Sequence, residues 1–168
     1  IAPNDKTQAT YEIHPDTKFI CRDAFKDCKR LTSITLPDGL ISIGSYAFYN
    51  CTYLESINLP ATLKYIGEYA FYSCQNLNMD LVIPDGVTAI PDYAFYRVPL
   101  TNITISDSVT HIGAYAFSEN YSLQSLSLGS GVTSIGSKAF YRSYPSSVHI
   151  TDLAAWCKIE FAYGSNPL

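Results

Sequence analysis

Apolar positions in this chain fall into columns that repeat about every 23 residues. An Ala-Phe pair places Phe at positions 25, 48, 71, 95, 117 and 140, at intervals of 23, 23, 24, 22 and 23. Five positions before each Phe stand Ile20, Ile43, Ile66, Ile90, Ile112 and Ile135. Eight before it stand Thr17, Leu40, Leu63, Val87, Val109 and Val132, and four before it Cys21, Gly44, Gly67, Pro91, Gly113 and Gly136. Upstream lies an alternating apolar piece such as Ile34-Thr35-Leu36, Ile103-Thr104-Ile105 or Val148-His149-Ile150. Such self-similarity is the mark of a stacked repeat array.

The alternating piece has period two and predicts a short strand with both apolar side chains facing one way. Pro-Asp-Gly then predicts a turn, with Pro presetting φ and Gly accepting a positive φ. The Val-x-x-Ile-Gly piece is too short for a helix and reads as a second extended segment. The Tyr-Ala-Phe-Tyr-x-Cys piece is expected to form one helical or 3₁₀ turn. One unit offers roughly seven apolar side chains, worth ~1.5–3 kcal/mol each when fully buried. Ordering its backbone costs ~1–2 kcal/mol per residue. A single unit therefore cannot fold, and the six must stack, pairing their strands into parallel sheets. At a strand spacing of ~4.8 Å, six units span about 29 Å.

The expected architecture is thus a mainly β repeat solenoid over residues 11–150, after an N-terminal extension at 1–10. Residues 151–168 depart from the pattern. Thr151 or Asp152 is placed to N-cap a short helix, with Leu153 and Trp156 expected to cover the end of the core. This segment either caps the array or leads into a further repeat, for which Asn166-Pro167-Leu168 resembles the run-in.

Composition narrows the function. Charged residues are only 15% of the chain, and the net charge is −4. Nucleic-acid and acidic-membrane partners need a basic patch, which this balance does not suggest. No apolar run approaches the ~20 residues of a membrane-spanning helix, so no membrane insertion is expected.

Several motifs are absorbed by the repeat. Cys28, Cys51 and Cys74 each follow the repeat Phe by three and should stack as buried structural thiols; Val98, Asn120 and Ser143 occupy the same slot later. Zinc sites use close pairs such as C-x₂-C, which the chain lacks, so no metal or cofactor is expected. Gly129–Gly136 has the look of a phosphate loop but lacks the Gly-Lys-Ser/Thr ending. Asp38, Asp85 and Asp107 are ordinary turn residues, in a column that Ala61 and Ser130 interrupt. His14, His111 and His149 occupy different phases and should not converge, so no catalytic residues are assigned. Three Asn-x-Ser/Thr sequons begin at Asn50, Asn102 and Asn120.

The tyrosines are the most informative surface feature: the chain has 14, many in register. Tyr46, Tyr69, Tyr93 and Tyr115 fall two before the repeat Phe; Tyr49, Tyr72, Tyr96 and Tyr141 fall one after it. They should form two columns at the outer edge of the core, able to serve as an aromatic contact strip. The first-strand face competes with them, through polar, nearly uncharged positions that include Thr35, Asn58, Thr104 and Ser127.

The consensus I-x-L-P-D-G-V-x-x-I-G-x-Y-A-F-Y-x-C resembles the BspA-like leucine-rich repeat family across residues 11–150. The resemblance implies a right-handed leucine-rich-repeat solenoid with a strand-lined concave face. It also implies a non-enzymatic bacterial module, secreted or on the cell surface, that adheres to a host or extracellular-matrix protein or to another surface protein. Two other roles stay open: a structural spacer within a longer array, and a glycan-binding surface along the tyrosine columns.

Overall fold

The computed structural model describes residues 8–168, so most of the expected N-terminal extension lies outside the described residues. The chain winds as a β-solenoid of about seven coils, each with two short strands and a run of turns except the third, which has only the second strand. The first strands of the coils are β1 (Thr10–Glu12), β3 (Ser33–Thr35), β6 (Leu81–Val82), β8 (Asn102–Ile105), β10 (Ser125–Leu128) and β12 (Ser147–Ile150). The second strands are β2 (Phe19–Ile20), β4 (Ser42–Ile43), β5 (Tyr65–Ile66), β7 (Ala89–Ile90), β9 (His111–Ile112), β11 (Ser134–Ile135) and β13 (Glu160–Phe161). Every pairing is parallel and in repeat register, for example Leu126 opposite Ile103 and Val148. The columns seen in the sequence become continuous rows in one core, with Ile, Leu, Val, Ala and Phe side chains all but excluded from solvent.

The third side of each coil is also hydrogen-bonded. The residues two before and two after each Phe have positive φ, among them Tyr46 (59°), Asn50 (59°), Tyr69 (57°) and Tyr93 (56°). These left-handed residues, sparsely populated outside Gly, Asn and Asp, aim alternate N–H groups along the solenoid axis. Tyr46 N, Phe48 N and Asn50 N donate to Glu68 O, Ala70 O and Tyr72 O at 2.9, 2.7 and 2.7 Å. The intervening amides close 3₁₀-type turns, with Ala47 N on Gly44 O and Tyr49 N on Tyr46 O. The expected brief turns are therefore present, but the left-handed residues stop them from running on as a helix.

The glycines carry a different constraint from the one expected. Gly39 and Gly86 of the Pro-Asp-Gly turns are not at positive φ, and the one glycine that is, Gly164, lies in the last coil. The Gly44, Gly67, Gly113 and Gly136 column is needed for approach: a Cβ there would meet backbone of the preceding coil, at 2.2 Å from Ser45 N in the case of Gly67. In the first coil Cys21 stands in this column. Gly129 and Gly131 likewise lie against the Asp107 backbone.

Both sheets are interrupted between the third and fourth coils. β5 and β7 are not paired, and the Ile57-Asn58-Leu59 segment forms no strand. Two sequence features account for this. Pro91 has no N–H where Gly44, Gly67, Gly113 and Gly136 donate to the Ile of the coil before. The run-in Leu77–Leu81 is also one residue longer than its counterparts. The turn side bridges the seam: Tyr69 N, Phe71 N and Ser73 N donate to Asp92 O, Ala94 O and Tyr96 O at 3.1, 2.8 and 2.8 Å.

The C-terminal segment continues the solenoid. Asp152 caps helix α1 (Leu153–Trp156) by accepting from Ala154 N and Ala155 N. This short helix stands where other coils have Pro-Asp-Gly. β13 then pairs with β11, and Gly164 takes the left-handed position of the seventh coil, followed by buried Ser165. Trp156 is half-buried and meets Phe161 edge-on at 5.1 Å. Leu153 departs from expectation: it is 68% exposed and covers nothing, because the helix presents it outward. Asn166-Pro167-Leu168 follows the buried Ser165 and is irregular. At the other end Tyr11 on β1 covers Phe25, ring centroids 5.3 Å apart at 74°.

Candidate binding surface

The coil spacing places identical side chains directly over one another. The buried phenylalanines form one unbroken stack from Phe25 to Phe140, with centroids 5.2–5.4 Å apart. Outside it run the two tyrosine columns. Tyr46, Tyr69, Tyr93 and Tyr115 stack at 4.8, 4.7 and 4.8 Å with planes within 8° of parallel. Tyr49, Tyr72 and Tyr96 stack at 4.9 and 4.8 Å. The columns touch each other at a tilt, as in Tyr69–Tyr72 at 5.7 Å. Ser118 interrupts the second column, so Tyr141 stands apart from it and is more exposed. Aromatic pairs of this kind contribute about 0.5–1.5 kcal/mol each beyond area burial.

Stacking decides what the strip can offer a partner. The seven stacked rings are half-buried, and their faces are taken by their neighbours. What remains at the surface is ring edge and phenol hydroxyl. The outer faces of the end rings are covered by cations: Arg22 and Lys26 lie over Tyr46 at 5.1 and 5.3 Å, and Lys138 lies over Tyr115 at 5.6 Å. Burial, then the neighbouring phenols, pushes the pKa of Tyr69 and Tyr93 upward. Tyr96 is pushed up to about 12, by burial and by its hydroxyl's bond to Glu119.

The first-strand face is less uniform than its sequence suggests. Thr35 and Thr104 are exposed and Ser127 half-buried. The Asn58 side chain is spent on the fold: its amide accepts from Leu36 N at 3.2 Å and donates to Leu36 O at 3.3 Å, standing in for the missing strand. Val82, in register with Thr104, is 61% exposed and puts an apolar patch on a face expected to be polar.

The cysteine column does more than fill space. Cys51 Sγ donates to Phe25 O at 3.0 Å and Cys74 Sγ to Phe48 O at 3.1 Å. Asn120 Nδ2 and Ser143 Oγ make the same bond to Phe95 O and Phe117 O, at 3.0 and 2.6 Å. The slot therefore selects a small hydrogen-bond donor, and Val98 is its exception. Asn120 is wholly buried, which removes the third sequon from the surface.

One cluster had no counterpart in the sequence reading. In the column two after Phe, small left-handed residues (Asp27, Asn50, Ser73) give way to Arg97, Glu119 and Arg142. Arg97 Nε donates to Glu119 Oε2 at 2.6 Å, and Arg142 Nη1 lies 3.7 Å from Oε1. Burial alone would raise the Glu119 pKa, but bonds from Arg97, Tyr96 and Tyr121 outweigh it and hold the carboxyl below its ordinary range. The readable signal was opposite charges at equal repeat phase, 22 residues apart.

The BspA type leucine-rich repeat region, as a family, matches residues 5–95 and 43–160 in six copies. The chain belongs to the BspA-type leucine-rich repeat family. No curated protein sequence matches it. Among solved structures, this leucine-rich repeat chain is similar to a leucine-rich repeat protein of T. pallidum, with 24% identity and a TM-score of 0.73, over 89% of this chain and 75% of that one. It is also similar to the pneumococcal vaccine antigen PcpA, with 24% identity and a TM-score of 0.51, over 89% of this chain but 34% of that one. A leucine-rich cell surface protein of Faecalibacterium prausnitzii matches with 21% identity and a TM-score of 0.46, over 95% of this chain and 64% of that one. At 24% identity, the likeness to the T. pallidum protein shows the shared fold.

Proposed function

We propose that this leucine-rich repeat chain is a non-enzymatic, surface-displayed adhesion module that grips a host or extracellular-matrix protein with its tyrosine strip. The observation that carries this reading is the strip itself. Seven rings are locked in register at 4.7–4.9 Å, so their hydroxyls and edges are ordered before any partner arrives. Little side-chain entropy remains to be lost on binding, which favours affinity. Tyr offers both contact area and a polar handle, the combination enriched in protein-binding surfaces. An extracellular location follows from the same reading, by analogy with relatives described as a cell surface protein or an antigen.

The geometry weighs against glycan recognition along these columns. A sugar stacks on an aromatic face, and the faces here are occupied. The spacer role is favoured by a specific observation: stacking within the two columns suffices to explain each of the seven stacked tyrosines as packing. Two variants separate the readings. Tyr69→Phe/Tyr72→Phe/Tyr93→Phe keeps the stacks and removes only hydroxyls; the Ser triple variant removes the rings. Surface plasmon resonance against fibronectin, fibrinogen, laminin and collagen should find saturable binding that the Phe variant weakens by at least about ten-fold. Binding to none of them leaves the spacer, and parent-level binding by both variants removes the strip as the contact face.

A further inference from the structure

Beside the second tyrosine column, the Arg97–Glu119–Arg142 cluster opens onto a cleft of about 330 Å³ lined by Gln75, Arg97, Pro99, Glu119, Tyr121 and Ser122. Four observations set this place apart from the repeating surface. First, three long charged side chains hang from left-handed backbone, at φ 56°, 58° and 59°, where earlier coils use Asp, Asn and Ser. Strain of this kind tends to persist where it positions a functional group. Second, the Glu119 side chain is only 9% exposed, with its oxygens engaged by Arg97, Arg142 and the hydroxyls of Tyr96 and Tyr121. It acts as an anchor that orients its neighbours, and it neutralises just one of the two guanidinium groups.

Third, Arg97 is about half exposed and spends its Nε on Glu119. Its Nη edge, the two parallel N–H groups that match a carboxylate, has no hydrogen-bond partner among the described residues. Fourth, Tyr121 is 66% exposed and forms no ring stack among the described residues. It thus offers the open aromatic face that the ladder withholds. Gln75 and Ser122 add an amide and a hydroxyl at the rim, able both to donate and to accept. The volume sits at the small end of the ~300–1,000 Å³ typical of ligand sites.

We propose that this cleft is a subsite for an acidic saccharide, a pyranose ring bearing a carboxylate. The Nη edge of Arg97 takes the carboxylate, Tyr121 takes the C–H face of the ring, and Gln75 and Ser122 take ring hydroxyls. Glu119 is a positioning residue. The site is independent of the protein-contact reading of the ladder, since it uses none of the seven stacked ring faces.

The test uses the whole chain and defined probes: hyaluronan tetrasaccharide, trigalacturonate and sialyllactose, each measured by saturation-transfer NMR and calorimetry. Carboxyl-reduced hyaluronan and a short poly-glutamate peptide serve as controls. At least one acidic saccharide should bind saturably, and its carboxyl-reduced form at least about ten-fold more weakly. Tyr121→Ala, an exposed ring whose removal leaves the core intact, should weaken binding similarly with an unchanged circular dichroism spectrum. Arg97→Lys, which retains a charge beside Glu119 but lacks the fork, should lose the preference for the acid over its reduced form. Binding to none of the three saccharides overturns the proposal. So does equal binding of the reduced form, binding indifferent to Tyr121→Ala, or capture of poly-glutamate alone, which would mark a peptide site instead.

Discussion

Replacing Gly67 with Ala isolates the constraint that sets the coil spacing. The residue is not at positive φ, so the backbone permits Ala. On conformational entropy alone the substitution should stabilise by ~0.4–1 kcal/mol. The added Cβ, however, would lie 2.2 Å from Ser45 N and 2.6 Å from both Gly44 C and Ser45 Cα, all backbone atoms that cannot swing aside. Ordinary contact begins near 3.4 Å, so the coils must part by on the order of 1 Å, the difference from ordinary contact distance. Gly67 N–Ile43 O at 2.8 Å, Lys64 N–Ile41 O at 2.9 Å and Tyr65 N–Ile41 O at 3.2 Å would all lengthen. Each such bond contributes ~0.5–1.5 kcal/mol net, and overpacking itself costs ~1–3 kcal/mol. After the entropic gain, a loss of about 2–4 kcal/mol is expected. Gly39 is the control: its Cβ would meet only Lys18 Nζ, the tip of a flexible side chain, so Gly39→Ala should stabilise by ~0.4–1 kcal/mol. Urea unfolding followed by circular dichroism, with the slope held constant between variants, measures both. A Gly67→Ala midpoint equal to or above that of the parent chain, or a Gly39→Ala loss as large as that at Gly67, would refute the close-approach argument.

Further outcomes follow from the same geometry. Cys28, Cys51 and Cys74 are buried, and burial pushes the Cys74 thiol well above its ordinary pKa; iodoacetamide should modify only Cys21 and Cys157 in the native chain and all five cysteines in denaturant, as counted by mass spectrometry. Val98→Cys restores a donor toward Phe71 O and should raise stability by ~0.5–1.5 kcal/mol, read as a higher urea midpoint. Glu119 titrates below its unfolded value of 4.5, so the unfolded chain binds more protons there; stability present above pH 4.5 should fall as pH drops through the folded value, and Glu119→Gln should flatten that part of a melting-temperature profile. Tyr69, Tyr72, Tyr93 and Tyr96 are all raised from 10.0, Tyr96 to about 12. The folded chain therefore keeps protons at these rings that the unfolded chain releases above pH 10, and stability should decline from there toward 12; an alkaline melting-temperature profile unchanged in Tyr69→Phe/Tyr72→Phe/Tyr93→Phe would contradict this.

The sequence by itself determined the repeat, its register and its core. A buried column imposes the same demand in every coil, so the Ile and Phe positions repeat visibly and the short strands follow from their period. It also placed both tyrosine columns. The tertiary structure decided what those residues do, because the deciding partner sits one coil away. Cys74 is a donor only because Phe48 O lies 26 residues earlier, and Gly67 is a spacing residue only because Ser45 backs onto it. Left-handed backbone at Tyr46 and its counterparts could not be read from residue type, since tyrosine does not favour it; stacking and the axial hydrogen bonds impose it. Pro91 was visible as a departure, but its effect, a break between β5 and β7, needed the missing donor to be set against the ladder. The Arg97–Glu119–Arg142 cluster is the clearest case. Residues 22 and 23 apart carry no local signal, and only the winding of one coil on the next brings opposite charges together beside an open tyrosine face.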